Sequence, residues 1–282
     1  MNTVRLTRGP RVLVFDSGLG GLTVLAQIAK VRPDVSLVYA ADDAAFPYGA
    51  LGEQELVARV ASVMARLVAL YAPDLVAIAC STASTLVLGP LRMLYPGIPF
   101  VGTVPAIKPA AAASKSRLVS VLATPGTVAR DYTQALVREY AGDCEVALVG
   151  SPHLARLAED CMKGLPVDDA EIAREIAPCF VEGRGRRTDV VVLACTHYPL
   201  LQDQFVRLAP WPVDYVDPAP AIARRVDALL GPPGEKSPVG GVLAPAIFTS
   251  GAAPGAGLRD TLRKFGLTAA LTDATVFEFI KA

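Results

Sequence analysis

Two stretches of the chain share one pattern: Asp74-Leu-Val-Ala-Ile-Ala-Cys80-Ser-Thr82 and Asp189-Val-Val-Val-Leu-Ala-Cys195-Thr-His197. In each, an aspartate precedes five apolar residues, a cysteine and a residue with a hydroxyl group. Such a short apolar run is typical of a buried parallel strand, so each cysteine should lie at a strand's carboxyl end, where a helix begins. Open α/β sheets bind ligands at that end. The repeat therefore suggests two similar halves, each presenting one thiol to a shared cleft.

The rest of the chain alternates apolar runs rich in Val, Ile and Leu with amphipathic stretches. This alternation predicts an α/β fold of doubly wound, mainly parallel sheets. The clearest helix is predicted over 53–71, where Leu56, Val63 and Leu67 recur at helical spacing. The run 189–195 has almost no polar alternation and should be buried on both faces. Strands are predicted at 11–16, 35–40, 74–80, 98–103, 117–123, 144–150, 189–195, 213–217 and 245–250, and further helices at 131–140, 153–163, 168–182 and 219–230.

The composition is that of a soluble globular protein with a sizeable core. The chain has 282 residues, of which 52% are hydrophobic, and its 27 basic and 27 acidic residues leave no net charge. The hydrophobic content excludes a disordered chain, and the lack of a basic stripe argues against a nucleic-acid binder. The charge-free window 237–258 holds three prolines and five glycines, so we expect a strand near 246–249 and no membrane helix.

Targeting and cysteine usage indicate the cytoplasm. The first apolar run, 12–15, is too short for the core of a signal peptide. Five cysteines are an odd number, and they form neither a CxxC pair nor a spacing typical of metal ligands. We therefore expect reduced thiols, no metal site and a cytoplasmic protein.

The two strand-end cysteines are the candidates for chemistry. A helix N-terminus stabilises a thiolate, so paired thiols could act as one base and one acid on opposite faces of a substrate carbon. Cys144, Cys161 and Cys179 stand within strand or helix patterns and are interpreted as packing residues. Of the two histidines, His197 could donate a proton to a leaving or returning group or hold a carboxylate, whereas His153 is interpreted as a surface residue.

Two loops add polar groups to the same edge. The segment 15–21, Phe-Asp-Ser-Gly-Leu-Gly-Gly, ends the first strand and opens a helix whose N-terminus can hold a carboxylate. It matches neither GxGxxG nor a Walker motif, and an ordinary strand-to-helix turn is the alternative. The segment 42–49, Asp-Asp-Ala-Ala-Phe-Pro-Tyr-Gly, follows the second strand and is either a further site loop or a solvated turn.

These pieces together resemble the glutamate racemases of the aspartate/glutamate racemase superfamily, in register over most of the chain. The resemblance implies two α/β domains related by a pseudo-twofold axis, with residues 1–105 and 218–282 in the first and 106–217 in the second. It also implies an active site between the domains and no cofactor. The motifs that carry it are FDSGLGGLTVL (15–25), DDAAFPYG (42–49), ACSTAS (79–84), VGTVPAIKPAA (101–111), LATPGTVARDYT (122–133) and LACTHYPLL (193–201).

The resemblance also assigns residue roles. Cys80 and Cys195 match the catalytic thiols, Asp16 assists the first thiol and His197 the second, and Glu159 falls where the family often has an acidic residue. The family usually has asparagine where this chain has Ser81, so a shorter hydroxyl replaces an amide that would contact the substrate. The residues expected to contact substrate are Asp16, Ser17, Tyr48, Gly49, Ser81, Thr82, Thr196 and His197.

The function that follows is racemisation of L-glutamate to D-glutamate for peptidoglycan synthesis. The expected partners are a small-molecule substrate and a second copy of the chain in a homodimer, with no nucleic acid and no membrane. Alternatives are a racemase of another small acidic amino acid such as aspartate, or a weakly active dicarboxylate-binding paralogue. A hydrolase using Cys195 and His197 is disfavoured, because it leaves Cys80 unused and no third group that would orient the histidine is evident.

Overall fold

A computed structural model describes residues 9–233, 246–267 and 270–271. In this part of the chain, six strands form one sheet: β1 (Arg11–Asp16), β2 (Ser36–Ala41), β3 (Leu75–Ile78), β4 (Phe100–Gly102), β11 (Ala246–Phe248) and β12 (Ala270–Leu271). Their order across the sheet is β12-β11-β2-β1-β3-β4. All the pairings are parallel, and β1 lies in register between β2 and β3.

Among the described residues, four parallel strands form a second sheet: β5 (Leu118–Ala123), β6 (Glu145–Gly150), β9 (Val190–Leu193) and β10 (Asp214–Val216). Their order across the sheet is β10-β9-β5-β6. The order β2-β1-β3-β4 in the first sheet corresponds to β6-β5-β9-β10 in the second, so the chain winds both sheets in the same way. A short antiparallel hairpin, formed by β7 (Glu182–Gly183) and β8 (Arg186–Arg187), stands apart from both sheets.

Helices connect the strands and cover both faces of each sheet. The clearest example is the second helix, where Leu56, Val60, Val63, Met64 and Leu67 form one buried stripe. The helices are α1 (Leu22–Val31), α2 (Glu53–Tyr71), α3 (Ser81–Leu94), α4 (Ile107–Ala113), α5 (Pro125–Ala129), α6 (Asp131–Tyr140), α7 (Leu154–Met162), α8 (Asp169–Ile176), α9 (Gln202–Leu208), α10 (Ala219–Leu230) and α11 (Ala256–Lys264).

The alternation of side chains along each strand divides the core into layers. In β1, Val12 and Val14 pack in one hydrophobic cluster with α1 and α10, whereas Leu13 and Phe15 pack in another with α2 and α3. This two-sided burial is what an apolar strand at the centre of a doubly wound sheet requires. It confirms the predicted fold class, and β9 is buried on both faces as expected for 189–195.

Two predicted boundaries differ from the structure. The helix expected over 168–182 ends at Ile176 and continues only as a 3₁₀ turn over Ala177–Cys179, because Pro178 has no N–H to donate and crowds the preceding turn. A helix was expected directly after each strand-end cysteine. Helix α3 does follow Cys80, but a 3₁₀ turn over Tyr198–Leu201, with Pro199 near its start, separates Cys195 from α9.

The C-terminal part of the described chain lies with the first sheet. Strand β11 pairs with β2, and α10 packs against α1. The expected strand over 245–250 is thus found over Ala246–Phe248, while residues 237–245 of the charge-free window lie outside the described ranges. No helix within residues 9–233, 246–267 and 270–271 combines the length and hydrophobicity that a bilayer span requires.

Candidate active site

Cys80 lies two residues beyond β3 and caps the N-terminus of α3. Its side chain is buried, with 5% of the residue exposed. The Ser17 Oγ lies 3.8 Å from the Cys80 Sγ. Burial and the nearby charge of Asp16 raise the pKa of the Cys80 thiol far above its usual range, against the lowering effect of the Ala83 backbone N–H. These effects favour the protonated form of the Cys80 thiol at neutral pH.

Asp16 ends β1 and organises the turn that leads into α1. Its Oδ2 accepts the Gly21 N–H at 2.7 Å, and the Tyr39 hydroxyl donates to the Gly18 carbonyl. The Asp16 Oδ1 is buried and has no hydrogen-bond partner among the described residues. Because an unpaired buried carboxylate oxygen is costly, this atom is suited to receive a donor group from a ligand.

Cys195 lies two residues beyond β9, at the equivalent position of the second sheet. Its Sγ is 3.8 Å from the His197 Nδ1, and the His197 Nε2 is 2.9 Å from the Glu159 Oε1. Burial alone would lower the pKa of His197, but its hydrogen bonds to Cys195 and Glu159 raise that pKa well above its ordinary value. His197 is therefore placed to take up a proton beside Cys195.

Glu159 joins this chain of groups to the first sheet. Burial opposes its ionisation, but His197 and Lys163 outweigh that effect and lower the pKa of Glu159 to about 2. Its Oε1 also accepts the Leu19 backbone N–H at 2.5 Å, from the turn after β1. The expectation that no third group orients His197 is therefore wrong: Glu159 does so, from a helix 38 residues earlier in the chain.

Glycines in the turn after β1 make this close approach feasible. A Cβ added at Gly18 would lie 2.2 Å from the Glu159 Oε1, and one at Gly20 would lie 2.6 Å from the His197 Nδ1. The turn thus packs its bare backbone directly against the groups that support the second thiol. This is the physical reason for its glycines, rather than the binding of a nucleotide.

The hydroxyl residues that follow each cysteine are buried in the same region. Ser81, Thr82 and Thr196 are each at most 4% exposed. Within the part of the chain that the structure describes, the Ser81 Oγ has no hydrogen-bond partner. The Thr82 Oγ1 lies 3.2 Å from the Thr124 Oγ1 at the end of β5. Ser81 therefore leaves a polar atom available to a ligand, and Thr82 contacts the other sheet directly.

Tyr48 and Gly49 belong to a 3₁₀ turn near the strand ends. The Tyr48 side chain is buried, and its hydroxyl donates to the Asp42 Oδ2 at 2.6 Å. Asp42 also accepts from Arg59 and, at 2.6 Å, from Thr249. The Tyr48 hydroxyl is thus held by Asp42, which anchors the turn, and Gly49 lies exposed near Thr124.

Several residues of this region were not found from the sequence. Thr124 meets Thr82, the Phe46 ring packs 5.4 Å from the His197 ring, and Lys163 pairs with Glu159 at 2.8 Å. Of these residues, only Lys163 could have been predicted from the sequence, because it stands four residues after Glu159 and so lies on the same helix face. The residues that the sequence analysis interpreted as packing or surface residues lie away from the site. His153 is exposed, Cys144 and Cys161 are partly exposed, and Cys179 is buried in the second sheet's core.

Two parallel sheets, each with a thiol beyond a central strand, form the architecture of an α/β enzyme. The chain belongs to the Asp/Glu/Hydantoin racemase family, whose model matches residues 22–226. It is 54% identical to a glutamate racemase from Sinorhizobium medicae, over 92% of this chain and 95% of that one. It is 58% identical to a glutamate racemase from Brucella anthropi, over 78% of this chain and 80% of that one.

A solved structure gives the same likeness. The glutamate racemase from Escherichia coli, crystallised with L-glutamate and the activator UDP-MurNAc-Ala, superposes with a TM-score of 0.84 at 38% identity. The match covers 93% of this chain and 97% of that one. The resemblance read from the sequence motifs is therefore confirmed at the level of the family and the fold.

Proposed function

We propose that this chain interconverts L- and D-glutamate by a two-thiol acid/base mechanism that needs no cofactor, and that it supplies D-glutamate for peptidoglycan synthesis. The observation that carries the proposal is the equivalent placement of Cys80 and Cys195 beyond the central strands β3 and β9. Each thiol has its own partners, Asp16 and Ser17 for the first and His197 for the second. The relatives named glutamate racemase support the choice of substrate.

The proton transfers balance without any other reactant. The thiolate of Cys195 takes the α-proton of L-glutamate, so the Cα–H bond breaks and an S–H bond forms. The carbanion then takes the Cys80 proton on its opposite face, which breaks that S–H bond and forms the new Cα–H bond of D-glutamate. The reverse reaction exchanges the two roles. Each thiol is thus a base for one enantiomer and an acid for the other.

The electrostatics of the two thiols favour one resting state. Cys80 is held as a neutral thiol by burial and by the charge of Asp16, so it is ready to donate a proton. His197 can accept the proton of Cys195, and Glu159 stabilises the resulting imidazolium. In this state the protein is prepared for L-glutamate. Return from the product state requires proton exchange between the thiols and their surroundings.

Three features support binding of an amino acid. The buried Asp16 Oδ1 accepts from no donor of residues 9–233, 246–267 and 270–271, and a substrate ammonium group would supply one. That positive charge would also offset the effect of Asp16 on Cys80, so substrate binding would ease ionisation of the thiol. The first backbone N–H groups of the fourteen-residue helix α3 are suited to a carboxylate, and the Ser81 hydroxyl is available beside them.

We also propose the two-domain division expected from the sequence, with residues 1–105 and 218–282 in one domain and 106–217 in the other. The pairing of β11 with β2 and the packing of α10 on α1 support it. Residues 1–8, 234–245, 268–269 and 272–282 of the first domain lie outside the described ranges. A homodimer and a cytoplasmic location remain part of the proposal, by resemblance to the family.

The test follows loss of the α-proton by NMR in D₂O, with L- and D-glutamate supplied separately. We expect the wild type to exchange both and to reach equal amounts of the two enantiomers. Cys80→Ser should suppress abstraction from D-glutamate, and Cys195→Ser abstraction from L-glutamate, each by about 10²- to 10⁴-fold. Cys144→Ser, which changes a partly exposed thiol outside the site, is the matched control and should behave as the wild type.

Other outcomes would overturn parts of the proposal. Exchange of aspartate but not of glutamate would assign another acidic substrate, and binding without exchange would indicate a paralogue that does not turn over. Equal losses with both enantiomers in both cysteine variants would argue for a single base. The names of the relatives do not favour these alternatives.

A further inference from the structure

Lys163 lies at the outer end of the chain of groups that leads to the second thiol. It caps the C-terminus of α7, and its Nζ is 2.8 Å from the Glu159 Oε2. The other carboxylate oxygen of Glu159 accepts from His197 and from the Leu19 N–H. The two oxygens of this one carboxylate therefore serve two different cations, the imidazole beside Cys195 and an ammonium group at the protein surface.

A buried carboxylate between two cations is held more firmly than it would be by one. The Glu159 side chain is only 4% exposed, so it loses most of its hydration on folding. The ammonium of Lys163 compensates this loss on the Oε2 side, which leaves Oε1 free to face the His197 Nε2. Because His197 donates from Nε2 to Glu159, its Nδ1 is turned toward Cys195, with which it can exchange a proton.

Contacts with helix α11, from the C-terminal part of the described chain, fix the position of Lys163. The Thr261 Oγ1 of α11 donates to the Met162 carbonyl at 2.7 Å, next to Lys163 in the chain. A Cβ at Gly257 would lie 2.1 Å from the Lys163 carbonyl oxygen, so α11 packs tightly on this turn. The side chain is 41% exposed and borders a cavity of about 500 Å³ that also touches Gly18, Leu19 and Glu159. The backbone of Lys163 thus belongs to a fixed turn, and its partly exposed side chain extends from there to the buried Glu159 carboxylate.

Lys163 differs from an ordinary lysine at a helix C-terminus because it contacts a buried carboxylate. Cations at a helix C-terminus gain only a small stabilisation from the helix dipole. On the same helix, Arg156 pairs with Asp160 at the same spacing and the same 2.8 Å distance, but its side chain is 57% exposed and Asp160 makes no contact with His197 among the hydrogen bonds of the described residues. The Arg156–Asp160 pair is therefore a control: it shows how far racemisation depends on a helix ion pair that, within the described part of the chain, has no contact with His197.

We propose that Lys163 is a positioning residue for the second thiol: it holds Glu159 so that His197 is oriented to exchange a proton with Cys195. The proposal rests on the two-thiol racemisation proposed above. The charged groups around the relay are Lys163 and His197 facing Glu159, Asp16 facing His197, and Asp43 at the border of the same cavity.

The experiment compares Lys163→Met, which keeps length but not charge, with Lys163→Arg and with Arg156→Met. Racemisation of glutamate is measured over pH, together with primary isotope effects on kcat/KM for each α-deuterated enantiomer. Because the enantiomers are equally stable, kcat/KM must fall equally in both directions, so the isotope effects locate the slowed step. Melting curves verify that each variant is folded.

Lys163→Met should lower kcat/KM about three- to fivefold, the magnitude of a partly exposed ion pair, and move the acidic limb of the pH profile to higher pH. The isotope effect should rise with deuterated L-glutamate, whose deuteron Cys195 removes, and fall with deuterated D-glutamate. Lys163→Arg should restore both, and Arg156→Met should match the wild type. In a Glu159→Gln background, Lys163→Met should cause no further loss, since its effect passes through that carboxylate.

An active wild type whose rate, pH profile and isotope effects are unchanged by Lys163→Met would overturn the role of Lys163 alone. Equal changes in both isotope effects, or failure of Lys163→Arg to restore the rate, would do the same and leave Lys163 as a structural residue. A wild type that exchanges neither enantiomer would overturn the proposed function first, and the role of Lys163 with it.

Discussion

The Thr82 Oγ1 and Thr124 Oγ1 atoms lie 3.2 Å apart, and their hydrogen bond joins the helix after Cys80 to the carboxyl end of the second sheet. Thr124 also caps α5 by accepting the Thr127 N–H at 3.3 Å. The strand ends of the two sheets therefore meet through hydroxyl groups immediately beside the first thiol. A substrate bound at the proposed site between the sheets would have to accommodate or replace this contact.

Thr82→Val should show whether the hydrogen bond between Thr82 and Thr124 contributes to catalysis or to the stability of the fold. Valine has nearly the same shape but no hydroxyl, and Thr124 retains its bond to Thr127. We expect kcat/KM for glutamate to fall about tenfold, while the free energy of unfolding changes by no more than about 1 kcal/mol. Thr85→Val on the same helix is the control. Steady-state kinetics and urea unfolding measure the two effects, and an unchanged kcat/KM would contradict the prediction.

Ser81→Ala tests the hydroxyl without a partner. Removing an unsatisfied buried polar atom should leave the melting temperature unchanged or raise it. If the hydroxyl serves the substrate, kcat/KM should nevertheless fall about two- to tenfold. A lower melting temperature would show instead that the hydroxyl has a structural partner.

Ser81→Asn tests the departure from the usual family residue. The longer amide should reach the substrate where the serine hydroxyl acts through water, so kcat/KM for glutamate should rise at least about tenfold. Kinetics with glutamate and aspartate measure this change. Flat glutamate kinetics combined with damage to another activity would mean that Ser81 is adapted to a different ligand.

The stability of the protein should depend on Glu159 in acid. Burial opposes ionisation of Glu159, but His197 and Lys163 lower its pKa to about 2. A lowered pKa stabilises the fold above the unfolded-state pKa of about 4.3, and this contribution is lost as the pH falls through the folded-state value. The wild type should exceed Glu159→Gln by on the order of 3 kcal/mol at neutral pH, and this difference should shrink between about pH 5 and pH 2.

Denaturant unfolding at several pH values measures that difference. Glu55→Gln, which changes an exposed carboxylate in the first turn of α2, is the control and should cost less than about 1 kcal/mol at any pH. A difference between the wild type and Glu159→Gln that does not vary with pH would mean that the Glu159 carboxylate is not preferentially ionised in the fold.

Gly20→Ala should damage the site through the second thiol. The added Cβ would lie 2.6 Å from the His197 Nδ1 and 2.7 Å from the Thr196 Oγ1, so one of these groups must move. We expect at least about a hundredfold loss of kcat/KM, as for a misplaced catalytic group. Gly89→Ala, at an exposed helix position with open space around it, should keep full activity and gain about 0.5–1 kcal/mol. Wild-type kinetics in Gly20→Ala would show that the loop can shift freely.

The sequence by itself determined the sheets and the placement of the two thiols. The strands and the helix over 53–71 could be predicted from the sequence, because an element that is buried on one or both faces has its apolar residues at a regular spacing. Cys80 and Cys195 could be placed beyond their strands for the same reason. The end of α8 was predicted too late because the apolar pattern continued past Ile176, although Pro178 prevents the helix from doing so.

The partners of those thiols were decided only by the tertiary structure. Glu159 meets His197 across 38 positions and Leu19 across 140, and Thr82 meets Thr124 across 42. No periodicity connects such residues. The contact between Glu159 and His197 depends on how α7 packs beside the end of β9, and the other two contacts depend on how one sheet is oriented against the other. Burial raises the pKa of Cys80, whereas burial is outweighed at the other two groups: His197 and Lys163 lower the pKa of Glu159, and hydrogen bonds to Cys195 and Glu159 raise the pKa of His197. The tertiary structure therefore decides which thiol holds its proton and which has a base beside it.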